Sequence, residues 1–334
     1  MFLACAALLA FALPLVSAAG AQPAPGPGRR ILIGFSNLTE DPAVTLEGTG
    51  FTGADIRNSV ALAARTMPVD VVFSVNGLDG SRTLANAEDA LRRKVDCYIL
   101  YSLDDAANAA AVRKLRAAEI PVLAVNHAVP GVPLYGSDDA AAGRMAGEAL
   151  GRFAQATWPD QTVGLVLVGP QRTSPQLQRR AEAVLAGVRG RMTPARVESI
   201  AGGPGSPLAA ALGAYLAAHP GEKVLVAALD DATALAAKAA LEAAGRLADA
   251  AIVSHGADRS IHGGMNDKKE IDPHNRGSIV LGSVAYWLDR YGDDLLPLCM
   301  RLAQGEKLPE RIPVRHRLIT ASNVFAEYPP YDMN

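Results

Sequence analysis

Short apolar runs alternate with helical segments along most of the chain. The runs ILIGFSN and VDVVFSV open the pattern, and TVGLVLVG and EKVLVAAL continue it in the second half. Between the runs, helical spacing predicts helices over 54–65, 81–93, 105–118, 139–153, 175–189 and 207–218, and one more directly after Asp230 and Asp231. Near-continuous apolar strands that alternate with helices are typical of parallel sheets covered on both faces. Two successive sets of four or five strands therefore predict an α/β protein with two doubly wound, Rossmann-like lobes.

Polar residues follow nearly every predicted strand. They are Ser36-Asn37, Asn76, Ser102 with Asp104, Asn126-His127, Arg172, Asp230-Asp231, and His255 with Asp258. Ligands of open α/β sheets bind beyond the carboxyl ends of the strands. If the two lobes face each other, these positions converge on one cleft, which predicts a binding site for a small polar ligand.

The adjacent acids Asp230 and Asp231 need separate explanations. One of them is explained locally, because a carboxylate at a helix start accepts hydrogen bonds from unpaired backbone N–H groups. We assign that cap to Asp231. We then expect Asp230 to reach into the cleft.

Composition narrows the class of function. The 334 residues are enough for two domains, and a net charge of −2 argues against a nucleic-acid binder that works by bulk electrostatics. The sequence contains no Gly-x-Ser-x-Gly elbow, no His-Glu-x-x-His and no phosphate-binding Gly-x-x-x-x-Gly-Lys-Ser/Thr loop. We therefore expect a binding protein and not an enzyme, with no cofactor.

The first residues have the character of an export signal. An apolar run from Phe2 to Val16 precedes Ala19-Gly20-Ala21, and a Pro/Gly-rich stretch follows. This predicts a signal peptide over 1–21, a linker over 22–29 and a periplasmic location. A lipid anchor is not expected, because the apolar run follows Cys5 where it would have to precede it.

Two cysteines remain after the predicted cleavage. Cys97 and Cys299 could form one disulfide in an exported protein. However, Cys97 opens an apolar strand and Cys299 lies on a predicted helix. We expect both to be buried free thiols.

Several segments resemble the type I periplasmic solute-binding proteins of ABC importers, in the ribose-binding, LacI-like branch. The stretch GSVAYWLDRYGDDLLPLCMRLAQGEKLP is similar to the last hinge strand and long helix of that family, LDDATALAAKAALEAAGR to its Asn-Asp-x-x-Ala-Leu-Gly box, and HGAD to its Gly-x-Asp. The resemblance implies two lobes joined by a three-strand hinge. It places the N-terminal lobe at 30–137 plus 286–318 and the C-terminal lobe at 138–285 plus 319–334. LacI-like regulators share the resemblance but carry a helix-turn-helix where this chain has its predicted signal peptide.

The resemblance and the strand ends together give a candidate ligand site. Its members are Asp230, Asp258, Asn126, His127, Arg180, Asn37, Arg172 and Tyr286. Alternatives stay open for several of them: Arg180 and Arg172 as exposed cations, Asn126 and His127 as turn residues, and Tyr286 as hinge packing. In addition, Asp41-Pro42-Ala43-Val44 stands where the family has Asn-Pro-Phe-Phe, so the aromatic rings that stack on sugars are missing unless Phe51, Tyr286 or Trp287 replaces them.

The function implied is capture of a small ligand, a sugar or polyol, by a monomer that delivers it to the permease subunits of an ABC importer. A receptor or carrier for a less polar solute and a ligand sensor for a membrane kinase are the alternatives. An insertion at 259–277 carries His262 and His274, but their spacing fits no zinc or EF-hand pattern. We expect that insertion to be a solvated loop without a metal.

Overall fold

The structure, a computed structural model, describes residues 29–169, 174–203, 205–263 and 268–329. The predicted signal peptide and Arg172 lie outside these residues. The first half of the chain forms β1 Ile31–Asn37, α1 Gly53–Ala64, β2 Val69–Val75, α2 Thr83–Arg93, β3 Cys97–Leu100, α3 Asp105–Ala117, β4 Val122–Val125 and β5 Leu134–Gly136.

The second half repeats this alternation and then returns to the first sheet. Its elements are α4 Asp139–Thr157, β6 Val163–Gly169, α5 Pro175–Arg189, β7 Val197–Ala201, α6 Leu208–Ala218, β8 Lys223–Ala228, α7 Asp231–Ala243, β9 Ala250–Gly256 and β10 Val280–Ala285. The chain ends with α8 Tyr291–Ala303, β11 Arg311–Pro313, β12 Arg317–Ile319 and α9 Val324–Glu327. Short 3-10 turns precede β9 at Leu247–Asp249 and α8 at Leu288–Arg290.

Two six-stranded sheets organise the fold. Their strand orders are β11-β5-β4-β3-β1-β2 and β12-β10-β9-β8-β6-β7. All pairings are parallel except that of β12 with β10. Both sheets are covered by helices, which confirms the predicted fold class of two doubly wound α/β lobes.

The order of strands locates the place where ligands bind such sheets. In each sheet the first strand of the lobe lies between the second and the third, so the winding direction reverses between β1 and β3 and between β6 and β8. Loops at the carboxyl ends of strands leave a crevice at such a reversal. The segments after β1, β3, β6 and β8 are therefore expected to border such a crevice.

The chain passes between the two sheets three times. It crosses after β5, after β10 and between β11 and β12. The two strands at the last crossing have three residues each, which is too short for a hydrophobic period to reveal them. This explains why the pattern predicts only four or five strands per lobe.

Small residues bring α4 and α5 into close contact. A Cβ on Gly143 would lie 2.2 Å from the Arg180 carbonyl oxygen, and one on Gly147 would lie 2.1 Å from that of Val184. Only glycine permits such an approach of backbones. The contact sets Arg180 on α5 directly beside the N-terminal end of α4.

The expectation of free thiols is wrong. Cys97 of β3 and Cys299 of α8 form a disulfide, with their Cα atoms 5.8 Å apart. The two cysteines are 202 residues apart, and they meet because α8 returns to the first sheet and packs on β3. The family resemblance places 286–318 in the first lobe, but it does not indicate that α8 packs on β3.

Within the described part of the chain, no helix has both the length and the apolar character needed to cross a membrane.

Candidate functional site

A β-hairpin follows β1 at the first reversal of winding. Thr45 and Thr52 form an antiparallel bridge, and the Leu46 N–H donates to the Phe51 carbonyl at 2.8 Å. At the tip, Glu47 and Gly48 have φ values of +55° and +60°. Two successive positive φ values make a type I′ turn, whose twist matches that of antiparallel strands. We call residues 45–52 the cleft hairpin.

Arg180 lies at the centre of the site and is only 1% exposed. Its Nε and Nη2 donate to Asp139 Oδ1 at 3.0 and 2.7 Å. Tyr286 donates its hydroxyl to the same oxygen at 2.9 Å, and its ring lies 4.3 Å from the guanidinium carbon. The Ser137 hydroxyl donates to the other Asp139 oxygen at 3.3 Å. Arg180 is therefore not an exposed helix cation. Tyr286 packs its ring against the guanidinium and bonds the same carboxylate oxygen.

The remaining donors of Arg180 go to backbone carbonyls. Nη2 donates to the Glu47 carbonyl at 2.7 Å and Nη1 to the Gly48 carbonyl at 3.0 Å. Nη1 also donates to the Leu229 carbonyl, just past β8, at 2.8 Å. Arg180 thus joins segments that follow β1 and β8, at the two reversals of winding.

Glu47 contributes a carboxylate that no sequence pattern indicates. Its Oε1 accepts from the Tyr101 hydroxyl at 2.5 Å and its Oε2 from Ser137 at 3.5 Å. Burial raises the pKa of Glu47 to about 7, and Asp139 adds to the rise; Tyr101, Arg180 and Ser137 oppose it. The Glu-Gly-Thr-Gly run after the first strand could have suggested a turn, but no pattern indicates that its tip meets Arg180.

Asp258 follows β9 and lies against the cleft hairpin, 7% exposed. A Cβ on Gly50 would sit 1.9 Å from Asp258 Oδ2, so the hairpin backbone passes directly over this carboxylate. Asp258 Oδ1 accepts from the Ser260 N–H at 2.7 Å. The structure thus brings Asp258 and Arg180 to one hairpin.

The assignment of the helix cap to Asp231 is wrong. Asp230 has extended backbone, with φ −151° and ψ 169°, and its Oδ1 accepts from the Thr233 N–H at 2.6 Å. Extended backbone one residue before a helix is the geometry of an N-cap. A ligand contact by Asp230 stays a prediction, with one of its oxygens already engaged.

Asp231 is instead a buried structural acid. It accepts from the hydroxyls of Ser254 at 2.5 Å and Ser283 at 2.6 Å, and from the Asp258 N–H at 2.8 Å. Burial, and secondarily the charge of Asp258, holds the pKa of Asp231 well above its usual range. Asp231 fixes the position of Asp258 through that backbone hydrogen bond.

Asn37 and Asn126 lie at strand ends within the first lobe. Asn37 donates to the Gly53 carbonyl at 2.8 Å. Asn126, at φ +56°, accepts from the Ser137 N–H and the Tyr291 hydroxyl, both at 3.2 Å. Its Nδ2 is buried without a hydrogen-bond partner among the described residues.

His127 has a different environment. Its Nε2 lies 2.7 Å from Oδ1 of Asp105, whose side chain is 87% exposed. The ring is therefore held at the protein surface, and it does not contact Arg180.

The expectation of a solvated loop over 259–277 is wrong for much of that segment. Ile261 and Ile271 are buried in the core of the second lobe. His262 donates to the Ala257 carbonyl at 2.9 Å and stacks on Tyr328, with ring centroids 4.1 Å apart. Apolar residues at both ends anchor the insertion. Among described residues no three His, Cys, Asp or Glu side chains are grouped so as to hold a metal ion.

Comparison with known proteins agrees with this geometry. The model of the periplasmic binding protein domain matches residues 43–279. A periplasmic ribose ABC transporter from Conexibacter woesei is 15% identical, with a TM-score of 0.68 over 92% of this chain and 96% of that one. No protein of curated function matches the sequence.

Two further solved structures are similar over nearly their whole lengths. An ABC transporter solute-binding protein from Mycobacterium smegmatis with bound glycerol is 20% identical, with a TM-score of 0.62 over 89% of this chain and 96% of that one. One from Bacillus halodurans with bound myo-inositol is 18% identical, with a TM-score of 0.61 over 91% and 99%. These likenesses concern the fold, and the domain match covers more than half of the chain. The chain therefore belongs to the periplasmic binding protein family, with the type I, ribose-binding-like fold predicted from its sequence.

Proposed function

We propose that the protein is an extracytoplasmic receptor that captures a small polyhydroxy compound, a sugar or polyol, between its two lobes and delivers it to an ABC importer. The observation that supports this most is that Arg180 and Asp258 both lie against the cleft hairpin, which follows the carboxyl end of β1. A guanidinium offers several donors, and a carboxylate offers only acceptors. A hydroxyl both donates and accepts, so neighbouring hydroxyls of one small molecule suit both groups.

Arg180 and Asp258 both belong to the second lobe, and the hairpin that they contact belongs to the first. A ligand that contacts residues of both lobes interacts fully only when the lobes are close together. Such a ligand shifts the population toward the closed form, which permease subunits would recognise. Solved structures of similar fold contain glycerol and myo-inositol, which supports a polyol.

The segment Asp41-Pro42-Ala43-Val44, which lacks the family's aromatic rings, narrows the class of ligand that we expect. Asp41, Pro42 and Ala43 are exposed, and Phe51 is buried in the hydrophobic core. None of them offers a flat aromatic face to a sugar ring. We infer that recognition rests on hydrogen bonds, as suits a small polyol more than a large stacked pyranose.

Calorimetric titration tests the proposal. Purified protein is titrated with glycerol, ribose and myo-inositol, and Asp258→Asn is compared with Asp160→Asn, an exposed acid in a turn. Charged hydrogen bonds contribute about 1.5–3 kcal/mol each, so Asp258→Asn should weaken binding roughly 10- to 150-fold while Asp160→Asn binds as wild type. Equal affinity in all three proteins, or no binding of any polyol, would refute it.

A further inference from the structure

The cleft hairpin contacts both lobes with its tip. On the side of the first lobe, Glu47 accepts from Tyr101 and Ser137. On the side of the second lobe, the carbonyls of Glu47 and Gly48 accept from Arg180. The hairpin belongs to the first lobe by sequence, yet two carbonyls at its tip accept from a cation of the second.

The fit between the tip and the second lobe depends on missing side chains. A Cβ on Gly48 would lie 2.7 Å from Leu177 Cδ2 and 3.3 Å from Arg180 Nη1. A Cβ on Gly50 would overlap the carboxylate of Asp258. Real Cβ atoms do not come within 3.0 Å of another atom, so a side chain at Gly48 would displace Leu177 and one at Gly50 would displace Asp258.

In this position, the hairpin tip occupies the groups of Arg180 and Asp258 that a ligand would need. Arg180 has no donor directed to open space, since its nitrogens face Asp139 and three carbonyls. Asp258 Oδ2 is covered by the backbone at Gly50. A polyol could reach these groups only after the tip has withdrawn.

Backbone strain makes withdrawal easier. Glu47 holds φ +55°, a region that disfavours residues other than Gly, Asn and Asp. Strained backbone persists where surrounding contacts enforce it and is typical of switch segments. Here the enforcing contacts are those to Arg180 and Tyr101.

We propose that the cleft hairpin is a tethered occupant of the interlobe cleft, which holds the two lobes together through Arg180 and which a ligand must displace. The identity of the displacing ligand rests on the proposed function, whereas the seating of the hairpin does not. If the seated form holds about nine-tenths of the molecules, it weakens apparent ligand affinity about tenfold.

The test compares wild type with Gly48→Val and with the control Gly245→Val. Gly245 has φ +67° and open space around its Cβ position, so valine brings similar backbone strain there without touching the cleft. Each protein is freed of bound solutes by unfolding in guanidinium with its disulfide intact, and then refolded. Amide hydrogen exchange of residues 45–52, small-angle X-ray scattering and titration with myo-inositol, ribose and glycerol follow. If valine prevents folding, Gly48→Ala takes its place.

Wild type and Gly245→Val should show slow exchange at the Leu46 and Thr49 amides, which donate within the hairpin. Gly48→Val should exchange there at least tenfold faster, have a larger radius of gyration and bind the polyol about tenfold more tightly. Fast exchange of both amides in wild type would overturn the proposal. So would weaker polyol binding by Gly48→Val, because the tip would then be part of the binding surface. If no polyol binds any of the proteins, the proposed function fails, and exchange and scattering alone still decide whether the hairpin holds the lobes together.

Discussion

Glu47 is a buried acid whose pKa lies near neutral pH. It is enclosed by Tyr101, Ser137, Asp139 and Arg180, and burial raises its pKa from 4.5 to about 7. The folded protein therefore keeps a proton between these pH values that the unfolded chain releases. The free energy of unfolding should fall as the pH rises through this window, by on the order of 3 kcal/mol in total.

The variant Glu47→Gln isolates this effect, because glutamine has no proton to lose. Relative to wild type, its free energy of unfolding should increase as the pH rises from 4.5 to 7.5, as urea denaturation at four pH values would show. His255, whose pKa burial lowers to about 3, destabilises the fold as the pH falls below 6.5. Both proteins contain it, so it cancels in the difference. A difference that stays constant with pH would contradict the assignment.

Two of the candidate ligand residues, Arg180 and Asp258, contact the cleft hairpin, and their role in ligand binding stays a prediction. Tyr286 contacts Asp139 and Arg180 instead. The order of roles at Asp230 and Asp231 was reversed, because the cap depends on which residue adopts extended backbone, and two identical neighbours give no hint. Glu47 was missed because its importance arises from Tyr101 and Arg180, which are 54 and 133 residues away.

Among the secondary-structure elements, α8 is joined to β3 by a disulfide. It is the helix that returns to the first lobe, and Cys299 ties it to Cys97 of β3. Helix α8 also packs on α1, β1 and β4. The disulfide therefore fixes a late segment of the chain onto the centre of the first sheet.

Replacing both cysteines by alanine should lower the free energy of unfolding by about 2–5 kcal/mol, since the cross-link restricts a long loop in the unfolded chain. Guanidinium unfolding with and without a phosphine reductant provides the measurement. Reductant should destabilise wild type by a similar amount and leave the double variant unchanged. Equal stability of oxidised and reduced wild type would show that the disulfide contributes nothing.

The long elements followed from hydrophobic periodicity, and the short ones did not. Helix α5, predicted over 175–189, occupies Pro175–Arg189, and α3 differs from its prediction by one residue. The strands β5, β11 and β12 have three residues each and leave no period to detect. The cleft hairpin likewise escaped detection, because its two paired positions flank a turn of unusual sequence.

Arg180 and Asp139 form a polar junction between the two lobes. Arg180 bonds Asp139 at the start of α4, the hairpin that follows β1, and the end of β8. Asp139 in turn accepts from Tyr286, which follows β10 and precedes the second crossing between the sheets. The predicted lobes were recognisable from two repeated sets of strands, whereas this junction was not, because its members come from separate helices and loops.

Arg180→Lys tests how much this junction contributes. Lysine keeps a positive charge opposite Asp139, but its single ammonium cannot reproduce the planar fork that reaches the carbonyls of Glu47 and Gly48. Loss of hydrogen bonds to a charged group should lower the free energy of unfolding by about 1.5–3 kcal/mol. Arg180→Met should cost more, about 3–5 kcal/mol, because Asp139 would remain buried without its partner.

Urea denaturation gives these free energies, and amide exchange locates the change within the fold. In Arg180→Lys, exchange should accelerate at the Leu46 and Thr49 amides of the first lobe, although the substitution lies on α5 of the second. Acceleration confined to α5 and its neighbours would mean that the lobes hold together without Arg180. Acceleration in the hairpin would mean that the Arg180 guanidinium couples the second lobe to the loop after β1, which the proposed function places at the ligand site.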